Sequence, residues 1–388
     1  MAETVRTVRV VVVPGTAGDR VTHSVDAVRL GRDSTGRVAA SARVAVDPGG
    51  IETPAVEAVR GFAADLAADG APVQSATAVV VDRSGGATGA RAGALLARVE
   101  TAAGPILAGA ALRPRPGARS PGWCPEPSGL PGGGGGRRAA PALPTSGGRI
   151  DPPADWRALP LVLAPPVAAV LVSGVRLALG SRAGRALRRR RAGAALLPPV
   201  TVVDEPVLHA AGGPDDAGTP ARPLPFVSGG RLVPPDGDAD ALPGGEPGRA
   251  WWDHDEQALR PPPLTRIVLE GEPVAAPPEA VELTWCVEHL QRYHAGGILR
   301  LTCVARPPGR SDAWFPVLVT ARPLTLLRLA RGPTGPARET FGEDQVRTPA
   351  LLLPPATALG TQVRDAAGPR TRPRSGGSPD PIRKEGTT

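Results

Sequence analysis

The sequence predicts an α+β fold in three parts: a small N-terminal α/β unit, a Pro/Gly-rich linker, and a β-rich C-terminal domain that contains a few helices. Hydrophobic residues make up 41% of the 388-residue chain, which is enough to form a sizeable core. Short β-branched runs outnumber the helical patterns, and the densest run of proline and glycine separates two such regions. We therefore place an N-terminal domain at residues 1–112, the linker at 113–155, the central and C-terminal domain at 156–363, and a disordered tail at 364–388.

The N-terminal unit begins with β-branched sequence and contains the clearest helix signal. "VRTVRVVVVP" predicts a strand at residues 5–14, and residues 25–46 predict a hairpin that turns at "GRDSTGR". In "TPAVEAVRGFAADLAADG", Thr53 is placed to cap a helix, Pro54 occupies its first position, and Gly70 follows its end. "ATAVVVDRS" then predicts another strand and "GARAGALLARVETAAG" a second helix.

The linker and the tail are identified by their composition. The chain contains 49 glycines and 48 prolines, about a quarter of its residues, and both segments are rich in them. Proline lacks a backbone donor and glycine is costly to order, so we expect neither segment to sustain packed secondary structure. Trp123 and Cys124 lie inside the linker, and we assign them no role.

The C-terminal domain is predicted to be mostly strands. "LPLVLAPP" predicts a short strand, and a helix is expected from Pro165 towards Arg188. "PPVTVVDEPVL" and "LTRIVLEGEP" predict strands, and "ARPLPFVSGGRLV" predicts a hairpin. "EAVELTWCVEHLQRYHAGG" is interpreted as a helix, followed by β-rich sequence up to Val363.

The apolar stretch "VAAVLVSGVRLALGSRAG" in this domain is interpreted as a core helix. Pro165 and Pro166 precede it and Arg176 interrupts it, which leaves far fewer than the roughly 20 apolar residues that a membrane span needs. Proline at the start suits a helix N-terminus. We therefore predict no membrane partner.

The formal net charge of +8 and the pI of about 10.8 raise the question of a nucleic-acid partner. Lys384 is the only lysine, so the basicity is almost entirely arginine. Together with the excess of Ala, Gly and Pro, this pattern is typical of a coding bias. The composition therefore favours a coding bias over a specific nucleic-acid interface, and a basic nucleic-acid-binding protein is the alternative interpretation.

Cysteine usage indicates a reducing compartment. Cys124, Cys286 and Cys303 are scattered and odd in number, with no C-x-x-C motif and no disulfide framework. The apolar run at the N-terminus is too short for a signal peptide. We therefore expect a cytoplasmic protein.

An acidic block, "VVDEPVLHAAGGPDDAGTPARPLPF", is the first candidate site. It brings four carboxylates and His209 into a short stretch, and such groups can bind a hard cation or act as acid and base. The alternative is a solvated loop with Asx turns, and the lack of an EF-hand pattern favours this alternative. The four carboxylates are Asp204, Glu205, Asp215 and Asp216.

A second candidate site has the spacing C-x2-H-x4-H-x8-C and consists of Cys286, His289, His294 and Cys303. All four side chains can ligate zinc. On one helix, however, His294 would lie about 140° around the axis from His289, which is poor geometry for a closed site. Core or surface roles are therefore favoured over a metal site, and the alternative is an active zinc enzyme whose metal lies at these four residues or in the acidic block.

A basic run near the end of the central helix is the third candidate. Cations complement the negative end of a helix dipole, and an anionic partner is the alternative interpretation. The run comprises Arg182, Arg185, Arg188, Arg189, Arg190 and Arg191.

Three stretches between about residues 159 and 363 resemble the TldD/PmbA family, also called modulators of DNA gyrase, and they follow one another along the chain as the family's motifs do. "LVLAPPVAAVLVSGVRLALGS" is similar to the family's strand and helix that begin V-L-x-P-x-A-A. "PGRAWWDHDEQALRPPPLTRIVLEGEP" is similar to its small-residue-Arg segment and following strand. "VTVVDEPVLHAAGGPDDAGTPARPLPFVSGGRLV" is similar to its V-V-D-D…D-D-E-G-T-P block, through Asp204, Glu205, Asp215, Asp216, Gly218, Thr219 and Pro220.

The resemblance implies a metallopeptidase-related protein whose own metal site is lost. The family's catalytic type carries H-E-x-x-x-H on this helix and a later cysteine, which together hold a metal beside a glutamate base. Aligned on this chain, the three helix positions fall on Val172, Ser173 and Leu177, and the late cysteine falls near Phe341. None of these side chains can replace the residue that the family has there.

The resemblance also implies a function without catalysis by this chain. The family includes a subunit type that lacks the metal motif and pairs with the catalytic type to form a peptidase that acts on unfolded peptides. We therefore expect no cofactor here, with zinc only in an H-E-x-x-x-H-bearing partner subunit. The acidic block is expected to serve as a structural or peptide-binding motif for extended peptide.

Overall fold

The computed structural model describes most of the chain. The described residues are 3–15, 18–35, 37–45, 52–68, 72–84, 90–101, 103–114, 123–125, 148–209, 213–237, 246–262, 264–287, 297–341 and 344–366. The predicted linker therefore lies largely outside the described residues, and so does the predicted tail from residue 367 onward. Where these segments are described, the expectation that they carry no secondary structure is wrong, because residues 123–125 and 148–149 form short strands and a strand at 363–365 runs into the tail.

The N-terminal residues form one antiparallel sheet with a single helix on one face. In this sheet β2 lies between β3 and β1, β1 pairs with β4 on its other side, and β5, β6 and β7 follow in order. The bounds are β1 Glu3–Val13, β2 Arg20–Arg32, β3 Val38–Arg43, α1 Glu52–Ala68, β4 Val73–Ser84, β5 Ala90–Thr101, β6 Gly104–Pro114 and β7 Trp123–Pro125. The strands, hairpin and helix predicted up to residue 84 are confirmed, but Thr53, predicted to cap the helix, lies inside α1 as its second residue, and Gly70 lies outside the described residues.

The helix predicted in "GARAGALLARVETAAG" is wrong, because these residues form β5. From Leu95 to Glu100 the side chains alternate between the core and the opposite face, which is the period of a strand. Leu95, Ala97 and Val99 pack in the same core cluster as Phe62 and Leu66 of α1. Alanine favours helices in isolation, but here the pairing of β5 between β4 and β6 outweighs that local preference.

The C-terminal half adds a mixed sheet with helices packed against it. Its bounds are β8 Gly148–Arg149, β9 Leu161–Leu163, α2 Pro165–Gly180, α3 Arg182–Arg190, β10 Val200–Glu205, β11 Leu224–Ser228, β12 Arg231–Leu232, β13 Trp251–Asp253, β14 Ala258–Arg260, β15 Arg266–Gly271, β16 Val281–Val287, β17 Leu299–Arg306, β18 Ala313–Ala321, α4 Pro323–Leu329, β19 Gly332–Phe341, β20 Gln345–Leu353, α5 Ala356–Leu359 and β21 Val363–Asp365. Mixed pairing includes parallel contacts of β15 with β20 and of β9 with β16. The predicted α+β fold is confirmed.

Helix α2 is the central element of the C-terminal core. Ten of its side chains or glycine positions are buried, including every residue from Val167 to Val175. Because α2 is buried on most sides, its residues are apolar around the whole helix and not along one stripe only. The predicted single helix towards Arg188 is divided at Ser181, whose hydroxyl caps α3 by accepting a hydrogen bond from the Gly184 amide at 3.0 Å.

Within the described residues, no single helix is both long and apolar enough to cross a membrane. Among the described helices, α2 and α3 together have the length and apolar composition of a membrane span, but they are bent by 78° relative to each other.

The helix predicted in "EAVELTWCVEHLQRYHAGG" is also wrong in its described part. Residues 281–287 form β16, and residues 288–296 lie outside the described residues. Val281 and Leu283 face the core while Glu282 is exposed, so the strand period was present in the sequence. A bulge at Thr284 interrupts this alternation, so the sequence pattern does not identify the segment as a strand.

The two halves of the chain share a core. Trp285, Val304 and Trp314 of the C-terminal half pack into the cluster formed by α1 and the N-terminal strands. One backbone pairing, Val287 with Ile106, joins β16 to β6. Burial of these large side chains against the N-terminal sheet therefore holds the two halves together.

Candidate functional site

The acidic block lies inside the protein, so the predicted solvated loop is wrong. Asp204, Asp215 and Asp216 are each only 1% exposed, and His209 is 6% exposed. Burying a carboxylate is costly unless charged or hydrogen-bonding partners compensate. Each of these carboxylates has such partners, and they form two groups that we call the Asp216 cluster and the Asp204 cluster.

The Asx turn predicted within the block is present at Asp215. Its Oδ1 accepts hydrogen bonds from the backbone amides of Ala217 at 2.9 Å and Thr219 at 2.8 Å. Its Oδ2 accepts from the Ala250 amide at 2.9 Å. Burial raises the pKa of Asp215, and these backbone hydrogen bonds oppose the rise. Gly218 completes the turn with a φ of 83°, a conformation that favours glycine, while Pro220 is exposed.

The Asp216 cluster joins the N-terminal sheet to the acidic block and comprises Glu3, Arg32, Arg83, His209, Asp216 and Trp251. Arg83, only 2% exposed, donates from Nη2 to Asp216 Oδ1 at 2.5 Å. Its Nε lies 3.0 Å from Glu3 Oε1 as an ion pair. Arg32 bridges the same two carboxylates from β2, at 2.7 Å to Glu3 and 3.0 Å to Asp216. Two arginines and two carboxylates therefore balance one another across the contact between the two halves.

Trp251 and His209 surround the guanidinium of Arg83. The Arg83 guanidinium carbon lies 4.9 Å from the centre of the Trp251 ring, a cation–π contact. Arg83 Nη1 lies 2.7 Å from His209 Nδ1. Because arginine can only donate, His209 Nδ1 accepts this hydrogen bond and the ring proton resides on Nε2.

His209 is therefore held in its neutral form. Burial and the positive charge of Arg83 lower its pKa from the ordinary value of 6.5 to about 3. A base with this pKa carries no charge at neutral pH. Its role in the cluster is to accept a hydrogen bond from a buried cation, and it cannot act as a general base poised near pH 7.

The Asp204 cluster lies beside α2 inside the protein and comprises Arg176, Asp204 and Arg249. Arg176 Nε lies 3.2 Å from Asp204 Oδ2, and Arg249 Nε lies 3.1 Å from Oδ1. Arg249 also donates to the carbonyl oxygens of Asp204, Arg222 and Gly248. Burial opposes the charge of Arg176, but Asp204 and then Asp344 outweigh that effect and raise its pKa. One carboxylate thus fixes a helix, a strand and a loop to one another.

Asp344 extends this polar region to the predicted metal-motif positions. Burial raises the pKa of Asp344, while Arg176, the hydrogen bond from Thr265 and the neighbouring Ser173 hydroxyl oppose the rise. Thr265 Oγ1 donates to Asp344 Oδ1 at 2.6 Å. Asp344 is not among the predicted site residues, although it is an acidic residue directly before the buried strand β20.

The three aligned positions of α2 lie in the core. Val172 and Ser173 are fully buried, and Leu177 is half-buried one turn further along. Phe341, at the position expected for the late cysteine, is the last residue of β19. Within the described ranges, no group of three or more His, Cys, Asp or Glu side chains is arranged to hold a metal ion.

Of the second candidate set, the structure brings Cys286 and Cys303 together. They are directly opposite each other in the β16–β17 pair, and both are buried. The expectation that Cys286 lies on a helix is wrong. His289 and His294 lie outside the described residues.

The arginine run was predicted at the end of the central helix, but it extends along the whole of α3, from its first residue Arg182 to its last, Arg190, and one member is buried. Arg188 is fully buried, donates to Glu246 Oε1 at 2.6 Å, and lies 4.6 Å from the centre of the Phe226 ring. Burial lowers the pKa of Arg188 and raises that of Glu246, and the ion pair opposes both shifts. Arg182, Arg189 and Arg190 are exposed.

We expect the substitution Arg83→Met to destabilise the protein by about 3 kcal/mol or more, because it leaves buried carboxylates with too little positive charge. Arg60→Met is the control. Arg60 is half-exposed and lies 4.0 Å from Asp19, so its loss should change stability by less than about 0.5 kcal/mol. Urea unfolding at pH 7 measures both, and equal effects of the two substitutions would contradict the assigned role of Arg83.

His209 should make the protein less stable as the pH falls. The unfolded chain binds the histidine proton below pH 6.5, while the folded protein resists it down to about pH 3. The free energy of unfolding should therefore fall by about 2 kcal/mol more between pH 7 and pH 5 in the unaltered protein than in His209→Gln. Glutamine keeps a hydrogen-bond acceptor but does not titrate. The same pH dependence in both proteins would exclude this role.

No protein-family model and no curated protein matches the chain in sequence. Among solved structures, TldE from Thermococcus kodakarensis matches with a TM-score of 0.53 and 12% sequence identity. The match covers 91% of this chain and 95% of that one. At such low identity it establishes the fold, and at that level it confirms the resemblance drawn from the three motifs. The chain therefore has the fold of TldE, from the family that its sequence resembles.

Proposed function

We propose that this chain is the non-catalytic partner subunit of a cytoplasmic metallopeptidase complex that acts on unfolded or extended peptides. The catalytic metal, zinc, would be held by an H-E-x-x-x-H-bearing TldD-like subunit and not by this chain. The observation that carries the proposal is the filling of the three aligned α2 positions by Val172, Ser173 and Leu177.

The chemistry of these positions supports the proposal. Valine and leucine have no lone pair for a metal, and the serine hydroxyl cannot act as a carboxylate base. Val172 and Ser173 are also fully buried, so substrate cannot reach them without rearrangement of α2. The polar side chains nearest to this turn, Arg176 and Asp344, are engaged in the buried network around Asp204.

The acidic block is better suited to a structural role than to direct contact with a peptide. Asp204, Asp215 and Asp216 direct their oxygens at arginines and backbone amides of the chain itself. A peptide would have to displace these partners to reach the carboxylates. We therefore assign the block to holding the two halves of the subunit in place.

A groove beside β3 is the surface best suited to an extended peptide. A cavity of about 540 Å³ lies between the start of β3 and the β13–β14 hairpin. In the part of the chain that the structure describes, β3 pairs with β2 on one side only. On its other side the Val38 amide donates to the Asp216 carbonyl oxygen at 2.9 Å, so the strand edge to which a peptide backbone can add begins after Val38. The lining residues are Asp33, Arg37, Val38, Ala39, Trp252, Gln257, Ala258 and Leu259.

A pull-down with the tagged chain from its native host tests the partnership. We expect an H-E-x-x-x-H-bearing homologue to be recovered, and the two proteins together to cleave an unfolded substrate in a chelator-sensitive way. The chain alone should cleave nothing. Stoichiometric zinc in the purified chain, together with proteolysis that a chelator stops, would overturn the proposal.

The substitution Trp252→Ala tests the groove. It removes the aromatic surface of the cavity, and we expect affinity for an unfolded peptide to fall at least about tenfold while the partner is still recovered. Ile298→Ala is the control, because Ile298 is an exposed apolar residue that does not line the cavity. Fluorescence anisotropy of a labelled unfolded peptide measures both. An equal loss in both variants would indicate non-specific hydrophobic binding, and no loss in either would exclude the groove.

A further inference from the structure

Two free cysteines face each other across the β16–β17 pair. Cys286 and Cys303 are Cα partners in the antiparallel register. Cys286 is 5% exposed and Cys303 is fully buried. Both side chains belong to the core cluster around α2, whereas their neighbours Trp285 and Val304 belong to the N-terminal cluster. The two thiols therefore share one face of the sheet.

The geometry of this pair suits a disulfide. Directly opposite residues in an antiparallel pair have Cα atoms about 4.5–5.5 Å apart, and disulfides span roughly 4.4–6.8 Å between Cα atoms. The two thiols are also in contact, because a hydrogen bond with Cys286, followed by burial, raises the pKa of Cys303 well above its ordinary value. The register of the strands therefore places the two cysteines at a Cα separation that a disulfide can span.

We propose that Cys286 and Cys303 are an oxidative modification site that forms an intrachain disulfide in response to hydrogen peroxide. This inference is independent of the proposed partnership and of the peptide groove. It concerns only residues that the structure describes, and Cys124 has no part in it.

The reaction proceeds in two balanced steps. Cys286, the more exposed of the two, attacks one oxygen of the peroxide with its sulfur, which becomes a sulfenic acid as one water is released. The Cys303 sulfur then attacks the Cys286 sulfur. The S–O bond breaks, the Cys303 proton and the departing hydroxide form a second water, and the S–S bond remains. Two thiols and one peroxide thus give one disulfide and two waters.

The disulfide would reinforce the junction between the two halves of the chain. β16 pairs with β6 of the N-terminal sheet and with β9 beside α2, so it belongs to both halves. A covalent link to β17 closes a loop between residues 286 and 303 and restricts the unfolded chain. We expect the oxidised protein to unfold at a higher temperature than the reduced protein.

Peptide mapping of the full-length protein tests the proposal. The protein is treated with hydrogen peroxide, its remaining thiols are blocked with N-ethylmaleimide in denaturant, and it is digested with trypsin without reduction. The disulfide should link the fragments 267–292 and 301–310, in the unaltered protein and in Cys124→Ala alike. Blocking of both Cys286 and Cys303 after oxidation, or a disulfide to Cys124, would overturn the proposal.

Two further variants test the order of the steps. In Cys303→Ala, the sulfenic acid of Cys286 has no resolving thiol and should be trapped by dimedone. In Cys286→Ala, dimedone should label the buried Cys303 several-fold less. Equal labelling of both variants would contradict the assigned order. The map of the unaltered protein remains decisive even where an alanine variant does not fold.

Discussion

The buried charge of Arg83 is the constraint on which the contact between the two halves of the chain depends. A guanidinium that is 2% exposed must be balanced by charge, and its carboxylate partners, Glu3 and Asp216, lie more than 200 residues apart in the sequence. Asp216 Oδ2 also accepts a hydrogen bond from the Trp252 amide at 2.8 Å, which holds the β13–β14 hairpin. One ion-pair network thus positions the N-terminal sheet, the acidic block and one wall of the groove beside β3.

Helix α2 is the second element on which the structure depends, because it forms the middle of the C-terminal core. Its apolar surface is buried on nearly all sides, and its polar exceptions, Ser173 and Arg176, face Asp344 and Asp204. A helix in this position could present ligands to a metal only if its side chains carried lone pairs and solvent could reach them. Here the same turns are used for core packing and for buried polar contacts with Asp204 and Asp344.

Much of the fold could be predicted because its elements carry strong local signals. The β-branched sequence of β1 and β2, and the early proline and apolar spacing of α1, were sufficient to predict those elements. β5 and β16 could not be predicted in the same way. β5 is rich in alanine and arginine, which favour helices, and the period of β16 is interrupted by a bulge at Thr284. In both segments, pairing with neighbouring strands decides the conformation, and those neighbours are distant in sequence.

The sequence by itself determined which chemistry the α2 positions lack, because side-chain identity alone decides whether a lone pair or a carboxylate is present. It also identified the acidic block as a unit, through the order of its carboxylates and its Asx turn. Only the tertiary structure decided what those carboxylates do. Their partners Arg32, Arg83 and Arg249 come from separate segments of the chain, and no local pattern predicts that they meet. The stretch that the sequence predicts as a solvated loop is buried, and it forms the charged contact between the two halves of the chain. A buried carboxylate is stable only where charged or hydrogen-bonding partners surround it.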